Sequence, residues 1–177
     1  MRRLLAAYTL AAGLAAAPAL AALPVGATAP EFAAKAALAG HEYDFDLAKE
    51  LKKGPVVLYF FPAAFTSGCT VEAHEFAEAT ADFQKLGATV VGVTAGNVDR
   101  VAEFSKVECR DKFAVVADPG AKIAAQYKST LALRPGWSDR TSYVIAPDGR
   151  IAAVYSALNP DKHVETTLAA VKKLKGM

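Results

Sequence analysis

Of the two cysteines in this 177-residue chain, Cys69 has the neighbours of a reactive thiol. It closes the stretch Pro62-Ala63-Ala64-Phe65-Thr66-Ser67-Gly68-Cys69, with a hydroxyl three residues before it. Beyond it Val71, Phe76, Ala79, Phe83 and Leu86 recur at helical spacing, which puts Cys69 in the first turn of a helix. Unpaired backbone N–H groups and the positive end of the helix dipole favour a thiolate there, and the thiolate is the nucleophilic form. A lone cysteine among apolar residues is more often inert core, but a strand–helix junction reverses that expectation. A thiol–disulfide oxidoreductase with this layout would carry a second cysteine where Thr66 stands. With a hydroxyl in that place, the loop cannot close a disulfide of its own.

The elements that must position Cys69 follow from periodicity. Val56-Val57-Leu58-Tyr59-Phe60-Phe61 reads as a strand buried on both faces and ended by Pro62. Before it, Phe32–Leu38 and Glu42–Phe45 flank Ala39-Gly40-His41 as a small hairpin, and Asp46–Lys53 is a helical turn. The helix from Cys69 stops at Gly87, a C-terminal cap, and Ala88–Thr94 is a second buried strand. Asn97 or Asp99 caps a helix through Val101, Phe104 and Val107 that ends near Cys109. Phe113–Ala117 is a third strand, Ala121–Tyr127 a short helix, and Lys128–Asp139 a loop too long for mere connection. Thr141–Ala146 and Arg150–Tyr155 form a hairpin over Pro147-Asp148-Gly149, and a last helix capped at Asn159-Pro160-Asp161 runs to Leu174. This order implies an α/β domain, a mixed central sheet with helices on both faces.

With 53% hydrophobic and 21% charged residues, one domain over residues 22–177 suffices. Residues 1–21 have the layout of a signal peptide: Arg2-Arg3, an apolar run, then Ala19 and Ala21 placed for cleavage. Export, to a periplasm, is therefore expected. Cleavage would leave 18 basic against 18 acidic residues, so no nucleic-acid or anionic-membrane footprint is expected. Two cysteines are too few for a disulfide scaffold; they can form one structural bridge or one redox couple. His41, His74 and His163 lack metal-ligand spacing and read as solvated surface, so no metal is expected.

The stretch from Pro62 to Cys69 matches the Pro-x-x-x-Thr-x-x-Cys signature of the peroxiredoxins, and the strand before it most resembles the bacterioferritin-comigratory (Q-type) branch. Downstream, Arg140-Thr141-Ser142-Tyr143-Val144-Ile145 is similar to the family segment that brings an arginine to the cysteine. The resemblance spans roughly Ala29–Leu174 and implies a thioredoxin-like fold. It also implies a peroxidatic Cys69 that attacks hydrogen peroxide and organic hydroperoxides, with Pro62 shielding the thiolate, Thr66 orienting the peroxide and Arg140 contacting both. Where a thioredoxin would place a proline before the hairpin strand, the chain has Asp139-Arg140-Thr141, which favours the peroxidase.

A sulfenic acid on Cys69 would condense with a second thiol. Many Q-type relatives carry that resolving cysteine five residues on, where this chain has His74. Others resolve from the helix after the second strand, which implies a Cys69–Cys109 bridge within one chain, reached by local unwinding. Glu72 is a candidate to fix Arg140, and Phe65, Trp137 and Tyr43 are candidates for pocket walls or equally for core. No metal, haem or flavin is expected; electrons would come from a dithiol partner such as a thioredoxin-like protein, and a monomer is expected. Two other functions stay open: a thioredoxin-like disulfide reductase, and a non-catalytic binding module with a structural disulfide.

For cysteines in general, lowering the pKa from about 8.5 to about 6 raises the thiolate fraction at pH 7 roughly thirtyfold but weakens the nucleophile roughly tenfold. Fast peroxide reduction therefore rests on positioning and on charge stabilisation at the departing oxygen, where one well-aimed donor is worth about 3 kcal/mol. Thr66, the N–H of Cys69 and Arg140 are the groups expected to supply it.

Overall fold

A strand buried on both faces must serve two cores. The structure, a computed structural model, describes residues 22–177, and the leader expected over residues 1–21 lies outside them. The strands are β1 (Ala33–Leu38), β2 (His41–Asp46), β3 (Val56–Ala63), β4 (Thr89–Gly96), β5 (Ala114–Ala117), β6 (Thr141–Ile145) and β7 (Ile151–Ser156). They form one sheet in the order β2-β1-β5-β4-β3-β6-β7, parallel at β3–β4 and β4–β5 and antiparallel elsewhere. In β3, Val57, Tyr59 and Phe61 enter one apolar layer and Val56, Leu58 and Phe60 the other. The first layer is closed by α2 (Ser67–Lys85), α3 (Val101–Val107) and α5 (His163–Leu174), the second by α1 (Leu47–Leu51) and α4 (Lys122–Gln126). The expected mixed sheet covered on both faces is borne out.

Gly87 ends α2 as expected. At φ +70° its N–H donates to Gln84 and that of Ala88 to Phe83, a left-handed turn that glycine enters without Cβ strain. Three boundaries differ from expectation. Pro62 does not end β3, which runs on to Ala63: the β6 partner stops at Thr141 opposite Phe60, so no ladder bond needs the missing N–H. Neither Asn97 nor Asp99 caps α3; a short 3-10 turn over Val98–Arg100 precedes it, and the Asn97 amide donates instead to Ala64 O at 2.8 Å. Asn159 does not cap α5. It closes a turn with Asp161, and the helix begins at His163, which this turn directs inward.

Gly96 lets β4 lie close against the end of β3. A Cβ there would stand 2.6 Å from both the Ala63 Cβ and the Pro62 carbonyl oxygen, so the strands would have to part. Gly96→Ala is expected to lower stability by about 1–3 kcal/mol, read as a lower denaturation midpoint in urea. An unchanged midpoint would mean that the strand ends are free to separate.

Candidate active site

The loop from β3 to α2 is held in an unfavourable shape. Phe65 has φ +62°, a left-handed value that a bulky residue adopts only under constraint. Its ring meets Phe104 edge-on at 5.2 Å and lies under the Arg100 guanidinium at 3.8 Å. The Ala64 N–H donates to Gly96, the Ala64 carbonyl accepts from Asn97, and the Thr66 hydroxyl donates to the Ala63 carbonyl at 3.1 Å. Thr66 therefore gives α2 no side-chain cap, leaving first-turn N–H groups for another acceptor. Cys69 sits in that turn, 1% exposed.

Arg140 reaches the sulfur because β6 runs antiparallel to β3. The residue before Thr141 lands beside the end of β3, from which the cysteine loop departs. Its guanidinium is anchored in three directions: Nε donates to Leu158 O at 2.8 Å, Nη1 to Glu72 Oε2, and Nη2 to Cys69 Sγ at 3.4 Å. Gly68 makes room for it, since a Cβ at that position would lie 3.2 Å from Nη2. The Ala157 N–H donates to the Arg140 carbonyl, so the turn after β7 grips both ends of this residue.

Glu72 lies one turn beyond Cys69 on the inward face of α2 and is fully buried. Burial raises its carboxyl to about 8, against the pull of Arg140. Burial also disfavours the Arg140 charge, but Glu72 and Cys69 outweigh it and its pKa is raised. The two tendencies compete. A guanidinium stays charged in either case, so the carboxyl is the partner that gives way.

Among the expected histidines, His41 is exposed and His74 is half-buried, 2.7 Å from Glu108. His163 corrects the expectation of a solvated residue. It is fully buried on the α5 face that also carries Thr167 and Val171, and burial lowers its pKa to about 4. Its i, i+4, i+8 spacing with those two residues was the signal for an inward side chain. Tyr43 is no wall of this site: it is exposed on β2, four strands from β3, beside a separate cavity of about 670 Å³. Trp137 stacks under Arg134 at 3.3 Å. A cavity of about 300 Å³ beside Arg140 is lined by Leu131, Ala132, Ala157 and Leu158, with neither Trp137 nor Phe65 in its wall.

Pro62 is half-buried as the second-last residue of β3, and Cys109 follows the end of α3, fully buried. Both cysteines are unbridged and border the same apolar layer. Burial raises the Cys109 thiol well above its usual range. Among the described residues no three His, Cys, Asp or Glu side chains are grouped to hold a metal, and no helix is long and apolar enough to cross a membrane.

The geometry can present a buried sulfur to a small electrophile, with a fixed guanidinium beside it. Comparison with known proteins points to the same chemistry. The family model described as "AhpC/TSA family" matches residues 25–154. The chloroplastic peroxiredoxin Q of Sedum lineare is 32% identical over 127 residues, 71% of this chain and 68% of that protein. The crystal structure of peroxidoxin BcpB from Mycobacterium tuberculosis superposes with a TM-score of 0.76 at 30% identity, over 85% of this chain and 97% of that one. Thioredoxin peroxidase I of Plasmodium yoelii, 19% identical over 86% of this chain and 91% of that one, shares the fold with a TM-score of 0.75.

Proposed function

The chain belongs to the AhpC/TSA family of peroxiredoxins and is a thiol-dependent peroxidase with their thioredoxin-like fold, and on that premise we propose how its residues divide the reaction. Cys69 is the peroxidatic cysteine. Its thiolate attacks one peroxide oxygen, the S–O bond forms as the O–O bond breaks, and the leaving alkoxide or hydroxide takes up a proton. The sulfur is oxidised to a sulfenic acid and the peroxide is reduced to an alcohol or water. The observation that carries this reading is the Arg140 Nη2 donor, 3.4 Å from a sulfur in the first turn of α2.

Arg140 stabilises the thiolate and the charge on the departing oxygen, Glu72 holds the guanidinium in place, and Pro62 shields the sulfur. The Thr66 hydroxyl orients the incoming peroxide. It already accepts no helix bond, so its lone pairs are open to a peroxide proton. Cys109 then attacks the sulfenic sulfur, an S–S bond forms, and the hydroxyl leaves as water. A dithiol reductant of the thioredoxin type reopens the bridge, with hydrogen peroxide and organic hydroperoxides as substrates. The Arg2-Arg3 leader with Ala19 and Ala21 supports export to the periplasm with cleavage after residue 21, and a monomer suffices because both thiols lie in one chain.

Stopped-flow mixing of the reduced protein with hydrogen peroxide tests the assignment. The wild type is expected to consume one equivalent rapidly and Cys69→Ser none. Undiminished consumption by Cys69→Ser would move the chemistry to another group.

A further inference from the structure

The carbonyl that receives Arg140 Nε stands on the turn from β7 to α5. The Leu158 side chain there is 64% exposed, so packing does not fix the place of its carbonyl. Hydrogen bonds do. The Ala157 N–H donates to the Arg140 carbonyl at 3.1 Å, and the Ala157 carbonyl oxygen lies 2.9 Å from His163 Nε2. A carbonyl only accepts, so Nε2 carries a proton and donates it there. Nδ1 of the neutral ring then has one lone pair, and the Ser142 hydroxyl, 2.7 Å away, donates to it and fixes that tautomer.

We propose that His163 is a positioning residue for peroxide reduction: its Nε2–H holds the Ala157 carbonyl, and through that turn the Leu158 carbonyl aims the Arg140 guanidinium at the Cys69 sulfur. This role rests on those assigned to Cys69 and Arg140 above. The carbonyls of Ala157 and Leu158 belong to successive peptide planes, so pinning the first leaves the second only the two backbone dihedrals of Leu158. From the second, Arg140 Nε is held at 2.8 Å and Nη2 is left 3.4 Å from the sulfur. Glu72 Oε1, 3.6 Å from Nδ1, is beyond hydrogen-bond length and takes no part.

Three elements build this support. Ser142 lies on β6, two residues after Arg140, and pairs in register with Tyr155 of β7. The Tyr155 ring meets the imidazole edge-on at 4.8 Å. His163 opens α5 and turns inward with Thr167 and Val171. Ser142 and His163 are both fully buried, so water does not compete for their hydrogen bond. Burial, with Arg140 nearby, lowers the imidazole to about 4, and the neutral ring keeps its one donor and one acceptor through neutral pH.

Removing the Nε2 donor should loosen the aim of Arg140 without removing its charge. His163→Phe is therefore expected to lower the second-order rate with hydrogen peroxide roughly tenfold, short of the roughly 100-fold that an ångström of misplacement can cost. In an Arg140→Ala background no guanidinium is left to aim, so the same substitution should change the rate by less than about twofold. Conservative variants separate the two ring nitrogens. His163→Gln brings an amide N–H near the place of Nε2 and should recover most of the rate, whereas His163→Asn reaches only the place of Nδ1 and should not. Val171→Ala loosens the same face of α5 without touching these hydrogen bonds and should leave the rate unchanged. A readout apart from activity is the Arg140 Nε–H proton, followed by nuclear magnetic resonance and assigned by its loss in Arg140→Lys. It should exchange slowly with solvent in the wild type and in His163→Gln, and about tenfold faster in His163→Phe.

Equal losses from His163→Phe with and without Arg140, a His163→Gln variant no better than His163→Asn, or a loss in Val171→Ala as large as in His163→Phe overturns the proposal. So does a wild-type Arg140 Nε–H that exchanges as fast as that of an exposed arginine. If His163→Phe does not fold, the comparison of His163→Gln with His163→Asn and the wild-type exchange rate decide. Full peroxide reactivity in Cys69→Ser would instead remove the catalytic assignment on which this role depends, while the exchange rates would still report whether His163 holds Arg140.

Discussion

Arg140→Ala is expected to lower the second-order rate of peroxide reduction by about 100- to 1,000-fold, the effect of deleting one preorganised donor aimed at developing charge. Three anchors fix the guanidinium before peroxide arrives, so the reaction spends little on reorganising it. Arg140→Lys is expected to fall between. An ammonium keeps the charge but cannot reach Leu158 O, Glu72 and the sulfur together, as a planar fork can. Folding is the necessary control. Without Arg140 the Glu72 carboxyl loses the group that pulls its pKa down, and its folded-state value rises further above the unfolded one. Such a carboxyl stabilises the fold below the unfolded pKa and loses that contribution as pH rises through the folded one. Rates should therefore be compared at a pH where circular dichroism shows the variant folded. A folded Arg140→Ala that reduces peroxide at the wild-type rate would end the assignment.

How much of this site is visible in the sequence depends on how local its causes are. Cys69, Thr66 and Pro62 share one strand–loop–helix stretch, so order and spacing place them. Arg140 is remote, and the resemblance of its segment located it; the antiparallel pairing of β6 with β3 is the physical reason it arrives. Glu72 stands as a candidate to fix Arg140, and the i, i+3 spacing from Cys69 puts both on one inward face. His163 reads as surface because an isolated histidine does so unless its helix face is followed to Thr167 and Val171. Pro62 reads as a strand end, yet whether its missing N–H matters depends on where the neighbouring strand stops, which is a matter of register. Asn97 looked like a cap by residue type, yet its amide holds the cysteine loop, a contact between residues 33 positions apart. The aromatic candidates depend on contacts of the same kind. Composition offers rings for a pocket wall, but packing gave Phe65 to Phe104 and Arg100, and Trp137 to Arg134.

Cys109→Ser is expected to leave the first reaction with peroxide intact and to stop the cycle after it, with a sulfenic acid persisting on Cys69. In the wild type, one equivalent of peroxide should instead give an internal Cys69–Cys109 disulfide, visible by mass spectrometry without reductant. Closing the bridge is expected to require motion. Both sulfurs are buried beneath helix ends, and the Cys109 thiol is far from ionised where it sits. Two contacts fasten its turn to α2, His74 to Glu108 at 2.7 Å and Glu78 to Arg110 at 3.1 Å. Against them stands local strain: Arg110 and Asp111 have φ of 51° and 59°, consecutive left-handed residues that each cost of order 1–3 kcal/mol. Opening the turn after α3 relieves that strain and exposes the thiol to water, which lets it ionise and attack. Glu108→Gln, which weakens the tie to His74, should therefore shorten the lifetime of the sulfenic acid without changing the rate of its formation. A disulfide found between chains, or a sulfenic acid equally long-lived with and without Cys109, would show that the second thiol serves packing alone.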